Sequence, residues 1–336
     1  MIKEYLKLAR SFNAVLTGIS PVMGAIAMEQ YDIFTLFMLF LVGFFGHTFG
    51  FVFNDIIDYR IDKTSKEISD RPLISGTITL KKAWFFAITS MLIAFSISLY
   101  LAYQTQNYFT VVVLAISALF ITLYDLISKK FIGMDIFVAM GVFLLVLYGA
   151  LTTVDSIYQI TSLAWIVCIL GSIQVLYMQF ISGGLKDIEN DYNRGAKTLA
   201  IKLGVRILDG KLKISYGFKA LAYGLQIVDL IVVFLPFFLI DEMKELTTLY
   251  YLQWTSILFI GFIMFYLSYK LLSMKQFERN KARKYIGVHY MINFTIVPIM
   301  LMTLNPWVGI LIFFPLLGFI LNNLILHGTI TQPKTM

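Results

Sequence analysis

The chain of 336 residues is 59% hydrophobic and 16% aromatic, and only 14% of it is charged; its mean hydropathy is +0.79. A soluble domain is about 25% charged, so a water-soluble globular fold is excluded and a polytopic membrane protein is expected. The one cysteine, Cys168, sits in an apolar run and leaves neither a disulfide framework nor a cysteine metal site, and the net charge of +7 has an explanation below that needs no nucleic acid.

Residues 2–10 place Ile2, Tyr5, Leu6 and Ala9 on one helical face and Lys3, Lys7 and Arg10 on the other. That is the pattern of a short amphipathic helix lying in the membrane interface. No cleavable signal pattern is seen, since the first apolar run is already as long as a membrane span. Ten runs long enough to span follow, at roughly 11–29, 33–53, 83–103, 108–127, 134–153, 160–182, 216–240, 248–272, 286–304 and 307–326. Only Asn305 and Pro306 separate the last two, which read as a tight hairpin or as one kinked, partly re-entrant element.

Charge gives the orientation. Of the 27 lysines and arginines, only Lys244 falls outside residues 1–10, 54–82, 128–133, 183–219, 270–285 and the C-terminal tail. With the N-terminus in the cytoplasm all of these segments lie on one side, as the positive-inside rule requires. The expected location is the cell membrane, multi-pass, with the long loops cytoplasmic.

The second apolar run ends in Asn54, Asp55, Asp58 and Asp62. A step of four residues turns a helix by about 400°, so Asn54, Asp58 and Asp62 share one face, and Asp55 flanks it. Carboxylates this close repel one another unless a cation lies among them. Hard oxygen donors suit Mg²⁺, which takes one or two carboxylates and completes its shell with water and substrate phosphate. A second set, Asp187 and Asp191 with Glu189 between them, follows the sixth run on the same side. Basic residues follow each set: Arg71 after the first, Arg194 and Lys197 after the second. Two such sets facing each other call for divalent cations and a polyanion. A diphosphate presented beside an apolar cavity at a membrane surface suggests a lipid diphosphate.

These residues resemble the UbiA-type membrane prenyltransferases. Asn54, Asp55, Asp58 and Asp62 match that family's NDxxDxxxD motif, and Arg71, Pro72, Ser75 and Gly76 its RPxxSG-like turn. Asp187 and Asp191 match its DxxxD motif, with Gly195, Thr198 and Leu199 as the GxxTL tail. Tyr124, Lys129, Lys130 and Gly133 resemble its loop after the fourth helix. The resemblance covers residues 10 to 272 and implies an all-helical, single-domain fold: nine spans around a central cavity with a cytoplasmic cap, to which residues 307–326 would add a C-terminal tenth.

The resemblance also implies chemistry. Asp58, Asp62, Asp187 and Asp191 would be the catalytic metal-holding carboxylates, supported by Asn54 and Asp55, with Mg²⁺ on an isoprenyl diphosphate. Arg71, Lys129, Lys130, Arg194, Lys197 and Tyr124 would bind the diphosphate. The prenyl group would pass to a lipid-soluble acceptor: an aromatic quinone precursor, a glycerol lipid or a carotenoid. Gly183 and Gly184 stand where quinone-type members carry an Asn pair, while the RPLISG turn looks more like the hydroxybenzoate, glycerol-lipid and carotenoid branches. The two halves therefore point to different acceptors.

His47 lies seven residues before Asn54, which places it on the same face about 10 Å deeper. It is expected to line the cavity, contacting the acceptor or limiting chain placement. Asp229 is a second ionisable residue inside an apolar run. One competing reading keeps the ionisation step without a separate acceptor, as in a terpene cyclase or a diphosphate hydrolase. A secondary transporter is a more distant one, because transporter sites lie near the midplane on broken helices and these carboxylates end spans.

Overall fold

The structure is a computed structural model. It describes residues 1–63, 68–128, 130–193, 195–208, 211–276 and 278–330, without the side chains of Ile61, Asn190 and Asn193. A short helix α1 (Ile2–Leu8) leads into α2 (Ser11–Ile26) and α3 (Ile33–Ile57), with a one-turn α4 (Tyr59–Asp62). Helices α5 (Leu80–Thr105), α6 (Phe109–Ile127), α7 (Asp135–Leu151) and α8 (Ser162–Tyr177) follow. A π-helical turn (Met178–Gly183) then passes into α9 (Gly184–Lys186), α10 (Ile188–Asn193) and α11 (Leu199–Lys202). The chain continues through α12 (Tyr216–Phe234), α13 (Pro236–Leu239), α14 (Thr248–Leu272), α15 (Arg279–Asn293), α16 (Ile296–Leu301) and α17 (Phe313–His327).

Among the described residues, seven helical segments are long and apolar enough to cross a membrane, and Ser11–Ile26 and Asp135–Leu151 are shorter apolar helices. Their ends are set by ordinary caps. Asp32, Thr79, Thr161, Ser215 and Thr247 each accept a backbone N–H in the first turn of α3, α5, α8, α12 and α14 respectively. Large apolar side chains such as Phe85, Phe259 and Phe262 point outward from α5 and α14, a surface suited to lipid and not to water.

The core forms where α2 and α7 meet, and small residues decide how closely. A Cβ placed on Gly24 would lie 2.0 Å from the Val146 carbonyl oxygen, and one on Gly149 only 1.8 Å from that of Pro21. The two backbones thus touch without side chains between them, the packing mode of helices in lipid. Helices α3, α5, α6 and α8 surround this pair, and their buried faces continue one apolar core into α12, α14 and α16.

The final apolar pair is two elements that reverse direction. Near the start of α14, Gln253 Nε2 donates to the carbonyls of Ile299 and Met300 at 2.7 and 3.1 Å, fixing the end of α16 there. Helix α17 then returns along α2: Ser11 Oγ donates to Asn322 Oδ1 at 2.9 Å, and the Phe12 and Phe319 rings meet edge to face at 5.6 Å.

A two-stranded antiparallel hairpin, β1 (Arg206–Leu208) and β2 (Lys211–Lys213), corrects the purely helical expectation. Its alternation explains it: Ile207 and Leu212 pair on the inward face and join a second apolar cluster, while Arg206, Lys211 and Lys213 are exposed.

Candidate active site

The first acidic set sits where α3 ends. Asp58 N–H donates to Asn54 O at 2.9 Å, and Asp62 N–H to Asp58 O at 2.8 Å. The four-residue ladder therefore runs on through α4, and Asn54, Asp58 and Asp62 stack on one face that lines a cavity of about 390 Å³. Asp55 turns aside. Its Oδ1 accepts from Arg10 Nη2 at 2.7 Å and from Arg71 Nη1 at 3.4 Å, and it is outside the lining. Arg71, in the loop after α4, also reaches Asp62 Oδ2 at 2.7 Å.

The second set begins below the π-helical turn. Asp191 N–H donates to Asp187 O at 2.9 Å, so these two again stand one turn apart, and both line the same cavity. Lys186 Nζ and Arg279 Nη2 each stand 3.5 Å from an Asp187 oxygen. Residues from α3, α4, α9, α10 and α15 thus open onto one space. Its interior is apolar, with Met91, Phe95, Leu114, Val142 and Phe180 among its walls. Its size lies within the range of small-molecule sites.

His47 also lines the cavity; Thr17 Oγ1 meets its Nδ1 at 2.8 Å, and its ring stacks on Phe51 at 4.2 Å. Tyr124 lines it too and donates to Asp135 Oδ1 at 3.5 Å. Lys130 and Lys197 are exposed and stand outside the lining. The α6–α7 turn carries Lys130 outward, and the left-handed Gly195 at φ 65° turns the chain before Lys197. Lys129 and Arg194 lie outside the described residues. Asp229 is buried in α12, away from the cavity.

Arg10, Asn13, Asp125, Asp135, Lys186 and Arg279 also line the cavity, outside the residues expected there. Arg10 lies over the Phe51 ring at 4.7 Å. Burial pushes its guanidinium below the ordinary value, and the Asp55 charge opposes that shift. Burial, then the nearby Arg283, lowers Arg279 in the same way. Asp125 accepts from Asn54 Nδ2 at 3.1 Å. Arg10 carried a local signal, a charge directly before an apolar run, and Asp125 and Asp135 are ionisable residues inside the runs 108–127 and 134–153.

Comparison with known proteins gives the family and the fold. The sequence model of the UbiA prenyltransferase family matches residues 14–293. A digeranylgeranylglyceryl phosphate synthase of Sulfurisphaera tokodaii is 28% identical, over 61% of this chain and 71% of its own. One of Thermococcus kodakarensis is 31% identical, over 60% of this chain and 69% of its own. Among solved structures, an apo UbiA homolog from Aeropyrum pernix K1 aligns with TM-score 0.67 at 14% identity, covering 87% of this chain and 96% of that one. A UbiA homolog from Archaeoglobus fulgidus bound to GPP and Mg²⁺ aligns with TM-score 0.61 at 14% identity, covering 89% and 99%. At such identities the structural likeness establishes the fold. With the family model spanning most of its length, the chain belongs to the UbiA prenyltransferase family and is a membrane prenyltransferase.

Proposed function

We propose that this prenyltransferase adds a geranylgeranyl group, carried as its diphosphate, to the free hydroxyl of a glyceryl phosphate that already bears one such group. The observation that carries the reading is the single cavity: two acidic sets at its mouth, apolar walls within. The acceptor and chain length rest on the relatives, which are named digeranylgeranylglyceryl phosphate synthases. Arg10, Arg71, Lys186 and Arg279 in the lining can meet phosphate oxygens of the donor and of an acceptor that brings a phosphate of its own.

The donors at the mouth fit Mg²⁺. Asn54, Asp58, Asp62, Asp187 and Asp191 offer hard oxygens. Among the described residues no three carboxylates, histidines or cysteines gather closely enough to hold an ion by themselves. That matches a metal shared with the substrate's phosphate oxygens. Bound Mg²⁺ supplies positive charge against the departing diphosphate.

The chain's own groups do the rest. Arg71 and Arg279 reach Asp62 and Asp187 and can take phosphate oxygens in the same geometry. The C1–O bond of the donor breaks toward the diphosphate, the acceptor hydroxyl oxygen bonds to C1, and the proton of that hydroxyl passes to the released diphosphate. The apolar walls keep out water, which would otherwise capture the allylic cation as a prenyl alcohol. The described geometry is compatible with ten crossings in one domain, with α17 as the tenth, α1 at the interface and the cavity mouth facing the cytoplasm.

The test is product analysis. Detergent-purified protein is incubated with Mg²⁺ and labelled geranylgeranyl diphosphate, with and without geranylgeranylglyceryl phosphate, with Asp58→Ala as the blank. Acceptor-dependent digeranylgeranylglyceryl phosphate is expected, and Asp58→Ala should lose about 10²-fold or more of the rate. Free geranylgeraniol formed regardless of acceptor, or preferential prenylation of an aromatic acid, would overturn the reading.

A further inference from the structure

We propose that Asp125 is a positioning residue that fixes the amide of Asn54 so that its oxygen, and not its NH₂ group, faces the metal site. The inference rests on the reading above, in which Asn54 offers an oxygen to Mg²⁺. Asp125 lies near the end of α6, 71 residues from Asn54, and both line the cavity. Asn54 Nδ2 donates to Asp125 Oδ1 at 3.1 Å.

An asparagine amide has a donor end and an acceptor end of nearly equal shape, and its surroundings decide which faces where. An ionised carboxylate accepts hydrogen bonds and donates none. Asp125 accepts from the Nδ2 end, and once a cation binds beside it and holds it as a carboxylate it can take no other, which leaves Oδ1 on the opposite edge of the amide. A second asparagine at position 125 would impose no such choice. It could donate to Asn54 Oδ1 as readily as accept from Nδ2, and so turn two N–H bonds toward a cation.

The cost of placing Asp125 there argues for a role. The residue is 8% exposed, and its Oδ2 is buried without a hydrogen-bond partner. An unsatisfied buried carboxylate oxygen is expensive. A buried carboxylate in the lining of a cation site regains part of that cost when the cation arrives. Outer partners of this kind orient metal ligands, and their loss typically weakens metal binding by about 10–100-fold.

The exchange of the two side chains tests this. Asn54→Asp places two carboxylates face to face. Asn54→Asp combined with Asp125→Asn rebuilds the bond in reverse, with the new amide donating and one oxygen at position 54 left toward the cavity. The first readout is the thermal midpoint of each purified variant titrated with Mg²⁺ in the presence of inorganic pyrophosphate. The second is the Mg²⁺ concentration for half-maximal transfer.

Asp125→Asn should raise the Mg²⁺ requirement about ten-fold. Asn54→Asp should raise it by at least as much, and the double variant should recover most of the loss. An unchanged requirement in Asp125→Asn, or a double variant no better than the sum of its parts, overturns the proposal. If Asp125→Asn does not fold, the comparison of Asn54→Asp with the double variant decides: recovery supports the pairing and further loss ends it. A wild-type protein indifferent to Mg²⁺ in both readouts would instead bring down the metal reading, and this inference with it.

Discussion

Arg10 Nη2 donates to Asp55 Oδ1 across 2.7 Å and so ties the start of α2 to the last turn of α3. The backbone of Arg10 pays for this reach, at φ 47° and ψ 50° in the left-handed region, which costs a residue with a Cβ about 1–2 kcal/mol. The ion pair and the Phe51 ring beneath the guanidinium hold it there. Breaking a buried pair costs about 3–5 kcal/mol. Arg71 remains 3.4 Å from Asp55, so the loss for Arg10→Ala should lie near the lower limit, about 3 kcal/mol. Arg10→Gly should recover about 1 kcal/mol of that by relieving the backbone. Unfolding of both variants in detergent measures the difference. Stability equal to wild type in Arg10→Ala would show that the pair contributes nothing.

The α2–α7 contact predicts a sharper effect. Alanine at Gly149 would bring its Cβ to 1.8 Å from the Pro21 carbonyl oxygen, a backbone atom that moves only with its helix. Overpacking of this kind costs about 1–3 kcal/mol where side chains can yield, and here two central helices must part. Gly149→Ala should therefore purify poorly or melt well below wild type. Gly224 in α12 has nothing within 4 Å of a built Cβ, so Gly224→Ala should be neutral or gain up to about 1 kcal/mol of helix preference. Size-exclusion profiles and melting curves of the two variants check the contrast.

His47 is predicted to act through chain length. It lines the cavity below Asn54 and is held by Thr17 at 2.8 Å and by the Phe51 ring. Its replacement by alanine opens the interior without touching the acids. His47→Ala should shift the kcat/KM ratio of longer over shorter prenyl diphosphates several-fold upward, and His47→Trp should shift it downward. The same ratio in all three proteins would leave His47 as a packing residue only.

Much of this site was legible because its chemistry repeats at local spacing. Asn54, Asp58 and Asp62, and again Asp187 and Asp191, stand one helical turn apart at the ends of apolar runs, and backbone hydrogen bonds between these residues carry that spacing across the breaks at Asp58 and Asp187. The illegible part is long-range. Asp55 looked like a fourth ligand, and only the fold shows it turned to Arg10, 45 residues away. Asp125 stands 71 residues from Asn54 in sequence, and only the fold of α6 brings the two together. Gly183 and Gly184 entered the sequence reading as a departure from an Asn pair; the structure puts a π-helical turn there that ends at Gly183. The β-hairpin escaped because its strands are three residues each, too short for alternation to stand out.

The division of the acids between two walls predicts how metal and diphosphate bind. In the free protein Asp62 is occupied by Arg71 at 2.7 Å, and Asp187 by Lys186 and Arg279 at 3.5 Å. No three carboxylates, histidines or cysteines converge among the described residues, so Mg²⁺ alone meets few carboxylates, and Asp62 and Asp187 already have cations beside them. Diphosphate alone meets the arginines but also the repulsion of the aspartates. Bound together, each ligand completes the other's site, and linkage requires that each raise the other's affinity by the same factor. A ligand at about 100 times its dissociation constant stabilises the fold by about 2.7 kcal/mol. The thermal midpoint should therefore move little with Mg²⁺ or inorganic pyrophosphate separately and rise by several degrees with both, returning on addition of a chelator. Asp187→Ala should abolish the joint shift while leaving the melting of the ligand-free protein nearly unchanged, since its carboxylate is 40% exposed. Equal and additive shifts from the two ligands would mean that they bind at separate places.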